Sequence, residues 1–356
     1  MKTLDELIHY CNEKNPIGAL MLTGEYGCGK TYLVGKELAA VLKDSHFIVR
    51  VSLFGVYSAK DLHAAVRQKW MDACLPGLES LQKAKDRGFA SALTSVLKKF
   101  SPVAGGAADV MVSMNVLDLI TIKPEVEDFR THEKKRVVLV YDDLERSGMG
   151  AAEVMGVINE YCENRHFNSI VIVSDDALLQ EREKNKVTYQ MIREKAVAQI
   201  LRHIPDYDAV INAILAGPKW QSEEYAAFLT EHEELIRDAF ISDSEKKEKS
   251  FLAKRDRKYH NFRTLTKGLQ SFYRIYYHLN ELGYDVTDER LYSFLAYYLV
   301  AKCGICREGM PCIDFEDKDI KEFYPEYSAE ALTDTEKCWI STGIWDSDAF
   351  AEEARI

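Results

Sequence analysis

The fold of this chain is decided by the stretch Gly24-Glu25-Tyr26-Gly27-Cys28-Gly29-Lys30-Thr31. It matches the pattern G-x4-G-K-S/T, in which glycines let the backbone wrap closely around a phosphate and turn several N–H groups inward. The apolar run 19–23 precedes it, and apolar side chains recur at helical spacing over 31–43 after it. A strand, a glycine-rich turn and a helix in this order predict a phosphate-binding loop.

The loop predicts a binding site for ATP and Mg²⁺. Lys30 is expected to place its charge near the β- and γ-phosphates, and Thr31 to offer its hydroxyl to the metal. ATP is favoured over GTP because the chain has no Asn-Lys-x-Asp guanine motif. The other predicted nucleotide contacts come from the loop and the first turn of the helix: Gly24, Glu25, Tyr26, Gly27, Cys28, Gly29 and Tyr32.

A second predicted strand carries the acidic residues that such a loop requires. Residues 136–141 are largely apolar, and Asp142-Asp143-Leu144-Glu145-Arg146 follows them. Carboxylates at the carboxyl end of a parallel strand face the ligand crevice. Asp142 is therefore the predicted Mg²⁺ ligand, directly or through water. Asp143 is predicted to orient and deprotonate the attacking water, with Glu145 as a longer-reaching substitute.

A third predicted strand, 170–173, also ends in polar residues, Ser174-Asp175-Asp176. A polar side chain at this place helps to hold the attacking water in hydrolytic proteins with a phosphate loop. The sequence leaves open whether Ser174 or Asp175 faces the site, and capping of the next helix explains either residue equally well.

The order of elements predicts an α/β protein. The strands 19–23, 47–53, 136–141 and 170–173 are apolar along their length and alternate with helices, which is typical of a parallel sheet covered on both faces. After about residue 205 only helices are predicted, over 207–215, 222–241, 246–282 and 288–303. We expect a three-layer core over 1–204 with a helical, small-residue insertion at 88–135, an all-helical lid domain over 205–303, and an acidic C-terminal region over 304–356.

Composition excludes several classes of protein. Hydrophobic residues make up 47% of the 356 residues and charged residues 29%, which excludes a disordered or collagen-like chain. The net charge of −11 disfavours nucleic-acid binding, for which the basic run 246–258 is the candidate surface. The polar first fifteen residues and the lack of an apolar run of bilayer length predict a cytoplasmic protein without a membrane span.

The motifs together resemble the KAP-type P-loop NTPases, a branch of the additional-strand, AAA-like and STAND-like ATPases. The resemblance covers about residues 15–280 and rests on the phosphate loop and three further segments: Ser52-Leu53-Phe54-Gly55, Asp142-Asp143-Leu144-Glu145-Arg146, and Asn261-Phe262-Arg263 with Lys267. It implies a five-stranded core. In this core the strand 170–173 lies between the strand that precedes the phosphate loop, 19–23, and the strand that precedes the acidic residues, 136–141. Phe262 stands where that family usually has proline.

The resemblance also implies roles for particular residues and partners. Arg263 is expected to approach the γ-phosphate from the helical lid, and Ser174 or Asp175 replaces the usual sensor asparagine. Arginines of related proteins also act across subunit interfaces, for which the candidates are Arg146, Arg193 and Arg202. The family includes bacterial proteins linked to phage exclusion and others that organise membrane complexes, which implies a regulatory or antiviral defence role with a protein partner or self-association.

Two functions follow as alternatives. The first is a Mg²⁺-dependent ATPase that works as a conformational switch. The second is a nucleotide-dependent assembly or interaction module with little or no turnover. A small-molecule kinase is a weaker reading, because kinases usually lack a strand that ends in this acidic pattern. Zinc binding by Cys303, Cys306 and Cys312 is also weaker, because their spacing lacks a second paired C-x-x-C.

Overall fold

The structure is a computed structural model that describes residues 3–75, 121–128, 130–174, 194–217, 220–240, 261–283, 298 and 332–353. The chain divides into two compact units. The first consists of Met1–Gly24 and Gly29–His203, and the second of Glu25–Cys28 and Ile204–Ile356. Four residues of the phosphate loop therefore group with the C-terminal part of the chain. The predicted boundaries within 205–356 stay predictions, since most of 284–331 lies outside the described residues.

The first unit is built on a six-stranded sheet. Its strands are β1 (Ala19–Thr23), β2 (His46–Ser52), β3 (Glu125–Glu127), β4 (Lys134–Asp142), β5 (Asn168–Ile172) and β6 (Val197–Arg202). The order is β2-β4-β5-β1-β6, with all four neighbouring pairs parallel, while β3 pairs antiparallel with the start of β4. The expected place of β5, between the strand before the phosphate loop and the strand before the acidic pair, is confirmed.

Helices cover both faces of this sheet. They are α1 (Thr3–Cys11), α2 (Lys30–Tyr32, continuing as a π-helix over Leu33–Leu38 and as an α-helix over Ala39–Leu42), α3 (Ala59–Cys74) and α4 (Ala151–Asn159, continuing as a π-helix over Glu160–Asn164). Ser58 caps α3 by accepting a hydrogen bond from the backbone N–H of Asp61.

The alternation of side chains along β4 explains why helices pack on both faces of the sheet. Val137, Leu139 and Tyr141 pack into one core with residues of α3 and α4, whereas Val138 and Val140 pack into another core with residues of α1 and α2. All five side chains are fully buried. A strand that is apolar on both faces has no solvated side, so the predicted α/β sandwich with a parallel sheet is confirmed.

The helices of the second unit share a core of their own. They are α5 (Tyr207–Leu215), α6 (Glu223–Glu231), α7 (Glu233–Phe240), α8 (Phe262–Glu281), α9 (Asp334–Thr342) and α10 (Ser347–Glu353). Ten of the 21 buried residues of this core are aromatic, Tyr225, Phe228 and Phe272 among them. Tyr276 and Tyr298 also lie in this core.

Several predicted boundaries were wrong. The helix expected over 222–241 is two helices, since the backbone leaves the helical region at His232. The helix expected over 246–282 begins only at Phe262, because Asn261 is an extended residue that caps it. Residues 246–260, the basic run included, and the helix expected over 288–303, except for a helical Tyr298, lie outside the described residues.

Two strands were missed. The insertion predicted as helical over 88–135 contains β3 and the first residues of β4 at its end, while 76–120 lies outside the described residues. β6 was missed because its side chains alternate between half-buried and exposed, as expected for the edge of a sheet, rather than forming an apolar run.

Within the described parts of the chain, no helix is long and apolar enough to cross a bilayer.

One buried hydroxyl ties α1 to the sheet. Tyr10 Oη lies 2.9 Å from the carbonyl oxygen of Gly18 and 3.0 Å from that of Ser169, and it accepts the N–H of Ser169 at 3.0 Å. Burial raises the pKa of Tyr10, so the hydroxyl keeps its proton for donation.

We expect Tyr10→Phe to lower the free energy of unfolding of the first unit by about 1–3 kcal/mol, because buried backbone groups lose a hydrogen-bond partner. Urea denaturation followed by circular dichroism measures this change. Tyr57→Phe is the matched control, since Tyr57 is 75% exposed, and should change stability by less than about 0.5 kcal/mol. Equal effects of the two substitutions would contradict the assigned role of Tyr10.

Candidate functional site

The phosphate loop leaves β1 with the backbone that its glycines permit. Gly24, Gly27 and Gly29 all have positive φ, of 150°, 80° and 95°. L-residues rarely adopt the last two conformations, which explains why glycine stands there. A Cβ built on Gly29 would meet no atom of the described residues within 4 Å, so a ligand can approach this part of the backbone closely.

Lys30 lies inside the loop. Its side chain is buried, and Nζ donates to the carbonyl oxygen of Gly24 at 2.8 Å. Lys30 is also the first residue of α2, and the Leu33 N–H bonds the carbonyl oxygen of Gly29 at the start of this helix. The side-chain charge and the partial positive charge of the helix N-terminus therefore lie together at the carboxyl end of β1.

Thr31 and Asp142, the two predicted metal ligands, lie in contact with each other. Thr31 Oγ1 donates to Asp142 Oδ2 at 3.0 Å, although the two residues are 111 positions apart in the chain. Asp142 is 3% exposed. A hydroxyl and a carboxylate are the oxygen donors that Mg²⁺ prefers, so these residues fit the ion.

The sheet decides where the Asp142 carboxylate points. Val138 and Val140 pack on the α2 side of β4, and Asp142 continues this alternation at the end of the strand. The register pairs Asp142 with Ser52 of β2. Because α2 begins beside this edge, the last residue of β4 presents its carboxylate to the first turn of the helix.

Arg50 is a site residue that the sequence analysis missed. Its Nη2 lies 2.9 Å from Asp142 Oδ2, and its side chain is 51% exposed. Ile48, Arg50 and Ser52 alternate onto the same face as Asp142. A signal existed in the sequence, since Arg50 is the only Lys, Arg, Asp or Glu among residues 46–52.

Asp143 has a backbone conformation that few residues tolerate. Its φ is 62°, in the left-handed region where Asp is enriched. Ser52 Oγ donates to Asp143 Oδ2 at 3.3 Å, Arg146 Nε lies 3.9 Å from Oδ1, and the Asp143 N–H bonds Asp142 Oδ1 at 3.0 Å. Glu145 is exposed in the short 3-10 helix Leu144–Arg146 that follows.

The segment Ser52-Leu53-Phe54-Gly55 supports both acidic residues. Besides the bond from Ser52 to Asp143, the Leu53 N–H donates to the carbonyl oxygen of Asp142 at 2.8 Å. The Phe54 N–H donates back to Ser52 Oγ at 3.3 Å, and Gly55 turns the chain with a φ of 79°. The family resemblance included this segment but gave no physical reason for its presence. These hydrogen bonds give one, because they hold Asp142 and Asp143 in place.

The remaining sensor and arginine candidates are only partly placed. Ser174 is buried two residues after the end of β5, whereas Asp175 and Arg193 lie outside the described residues. Arg202 ends β6 in register with Thr23, the last residue of β1. Arg146 lies near Asp143, as described above.

The second unit contains a set of contacts around Gly27. The Phe262 N–H donates to the carbonyl oxygen of Gly27 at 3.2 Å, and Arg263 Nη1 donates to Tyr26 Oη at 3.4 Å. Asn261 caps α8 by accepting from the N–H groups of Arg263 and Thr264. A proline at position 262 lacks the N–H that bonds Gly27. Arg263 is exposed at this helix start, beside a residue of the phosphate loop.

The parallel sheet, the glycine loop with its buried lysine, and the acidic strand end define a P-loop NTPase. The KAP family P-loop domain matches residues 1–277. The chain therefore belongs to the KAP family.

Comparisons with individual proteins are distant. No curated protein matches the chain. A structure of Drosophila ORC bound to DNA is similar at 16% identity, with 87% of this chain and 68% of that chain covered and a TM-score of 0.39. A crystal structure of a DNA replication initiation factor is similar at 13% identity, with coverages of 94% and 85% and a TM-score of 0.31.

We expect Gly27→Ala to destabilise the second unit more than Gly29→Ala destabilises the first. Both substitutions force a side chain into positive φ, at about 1–2 kcal/mol. At Gly27 the new Cβ would also lie 2.3 Å from Asn261 Cγ, whereas at Gly29 it meets nothing within 4 Å among the described residues. Differential scanning calorimetry of the two variants measures the difference.

Adding Asn261→Gly to Gly27→Ala should recover part of that stability, because the clashing side chain is removed. Equal destabilisation by the two alanine variants, or no recovery in the double variant, would contradict the contact between Gly27 and Asn261.

Proposed function

We propose that this chain binds Mg²⁺–ATP in the loop 24–32, hydrolyses it, and works as a conformational switch. The strongest support is the contact of Thr31 Oγ1 with Asp142 Oδ2, which brings two predicted metal ligands within 3.0 Å of each other beside the buried Lys30. Three groups from two distant segments converge on one edge of the sheet, and that edge is where α/β proteins bind ligands.

Lys30 is proposed to exchange partners when nucleotide binds. Its ammonium group now donates to an uncharged carbonyl oxygen, that of Gly24. A phosphate oxygen is a stronger acceptor, because charge-assisted hydrogen bonds are about twice as strong as neutral ones. The exchange also frees the Gly24 carbonyl, so the loop backbone can rearrange around the phosphates.

Asp143 is proposed to position and deprotonate the attacking water. Its carboxylate accepts from Ser52 Oγ at 3.3 Å and pairs with Arg146 Nε at 3.9 Å, so both of its oxygens are oriented at the end of β4. Mg²⁺, when bound, neutralises charge on the β- and γ-phosphates. Glu145 remains the substitute base, with an exposed side chain that is longer by one methylene.

The switch is proposed to run through the contacts around Gly27. The first turn of α8 is bonded to Gly27 through Phe262, and Arg263 is bonded to Tyr26. A loop backbone that rearranges on nucleotide exchange therefore changes the environment of α8 directly. Arg263 is proposed to contact the γ-phosphate, so that its interactions differ between ATP and ADP.

A nucleotide-dependent assembly module with little turnover is the second candidate. It is favoured by the lack of the family's usual sensor asparagine, since either Ser174, which is buried, or Asp175 stands in its place. In this case Arg146 or Arg202 would act on a second copy of the chain or on a protein partner. A regulatory or antiviral defence setting is part of the proposal and rests on the family alone. Light scattering with and without ATP tests the assembly.

Lys30→Ala should weaken ATP binding about 10- to 100-fold, since a charged hydrogen bond contributes about 1.5–3 kcal/mol. Isothermal titration calorimetry measures the affinity. Lys36→Ala is the matched control, because Lys36 is exposed on the same helix, and it should bind ATP as the wild type does. Unchanged affinity in Lys30→Ala would refute the phosphate-loop assignment.

Asp143→Asn should slow phosphate release about 100-fold while ATP still binds, because general-base catalysis contributes about 10²–10⁴. Asn tolerates the left-handed backbone at this position, so the fold should be kept. Glu145→Gln, measured in parallel, should turn over near the wild-type rate. The opposite pattern would move the role to Glu145, and a wild type that retains γ-phosphate for hours would support the assembly module.

A further inference from the structure

The carboxylate of Asp142 already has three partners within the chain. Oδ2 accepts from Thr31 Oγ1 at 3.0 Å and pairs with Arg50 Nη2 at 2.9 Å. Oδ1 accepts the Asp143 N–H at 3.0 Å. The predicted metal ligand is thus already neutralised by a cation of the chain itself, at the same oxygen that Thr31 contacts.

The two members of this ion pair differ in their exposure to water. The Asp142 side chain is 5% exposed and the Arg50 side chain 51% exposed. A buried carboxylate without a cation is strongly unfavourable, so Asp142 needs a positive partner at all times. The half-exposed guanidinium can return to solvent at little cost, because its long side chain already reaches water.

From this geometry we propose that Arg50 is a resident counter-cation which Mg²⁺ must displace from Asp142, so that Arg50 sets the Mg²⁺ concentration at which the site loads. A divalent cation held by Thr31 and Asp142 and a guanidinium at the same Asp142 oxygen repel each other. Binding of the metal therefore exchanges one cation for another instead of neutralising a free carboxylate. This inference rests on the proposed function, because it concerns the metal of the same site.

Arg50 is expected to have two opposite effects on the metal site. Arg50 lowers the affinity for Mg²⁺, since the metal competes with a built-in charge. Arg50 also keeps Asp142 neutralised and oriented toward Thr31 while no metal is present. Arg50 is therefore a positioning residue that acts through Asp142 and is not assigned a contact with the nucleotide.

The test is the binding of a fluorescent N-methylanthraniloyl derivative of ADP to the full chain, titrated with Mg²⁺ at fixed nucleotide. Arg50→Gln should lower the half-saturating Mg²⁺ concentration about 3- to 10-fold, a shift typical of the loss of one partly exposed charge. Arg50→Lys keeps the charge and should lie between Arg50→Gln and the wild type. Because it is the milder change, it also preserves the test if Arg50→Gln does not fold.

Arg165→Gln is the matched control. Arg165 also pairs with a carboxylate, Glu160 at 2.7 Å, and its side chain is 40% exposed. This variant should keep the wild-type Mg²⁺ requirement.

The outcomes separate the inference from the proposed function. An unchanged or raised Mg²⁺ requirement in the Arg50 variants would overturn the inference, provided that the wild type binds the nucleotide in a Mg²⁺-dependent way. A wild type that binds no nucleotide at any Mg²⁺ concentration would instead overturn the proposed function. A lowered requirement confined to the Arg50 variants supports both.

Discussion

The hydrogen bond from Thr31 to Asp142 depends on the arrangement of three strands and one helix of the first unit. Thr31 is fixed by the loop after β1 and by the start of α2, and Asp142 by the end of β4. The two strands are not neighbours, since β5 lies between them. The bond therefore forms only if three parallel strands have the correct register. A shift of β4 by one residue would turn the Asp142 carboxylate to the opposite face of the sheet.

Much of this arrangement could be predicted because its signals are local. The glycine loop, the apolar strands and the acidic residues after β4 are contiguous in sequence, and each obeys a short-range rule. The proximity of Thr31 to Asp142 followed from two such segments and the general behaviour of parallel strands. The roles of Asp143, Glu145, Ser174 and Arg263 stay predictions, because they concern contacts with a γ-phosphate or its attacking water and not contacts within the chain.

Two of the missed features, Arg50 and β6, depend on neighbours distant in sequence. Arg50 became a site residue only through the register of β2 with β4, which places it on the face of Asp142. β6 is an edge strand whose alternating pattern is also compatible with a loop. The break at His232 and the cap at Asn261 interrupt helical patterns that continue through both positions in sequence. The cap at Asn261 is local, since its side chain accepts from the N–H groups of Arg263 and Thr264.

The bond between Phe262 and Gly27 joins two main-chain groups, and this has a consequence for how its importance can be detected. Every amino acid except proline supplies the same N–H, so Phe262→Ala leaves the donor of this bond in place. Side-chain substitution at position 262 therefore does not reveal the bond, and the bond tolerates sequence drift there. Replacement of the amide between Asn261 and Phe262 by an ester removes the N–H and keeps the Phe262 side chain, and it also weakens the Asn261 carbonyl that accepts the Leu265 N–H. Backbone chemistry of this kind is the appropriate probe of the link.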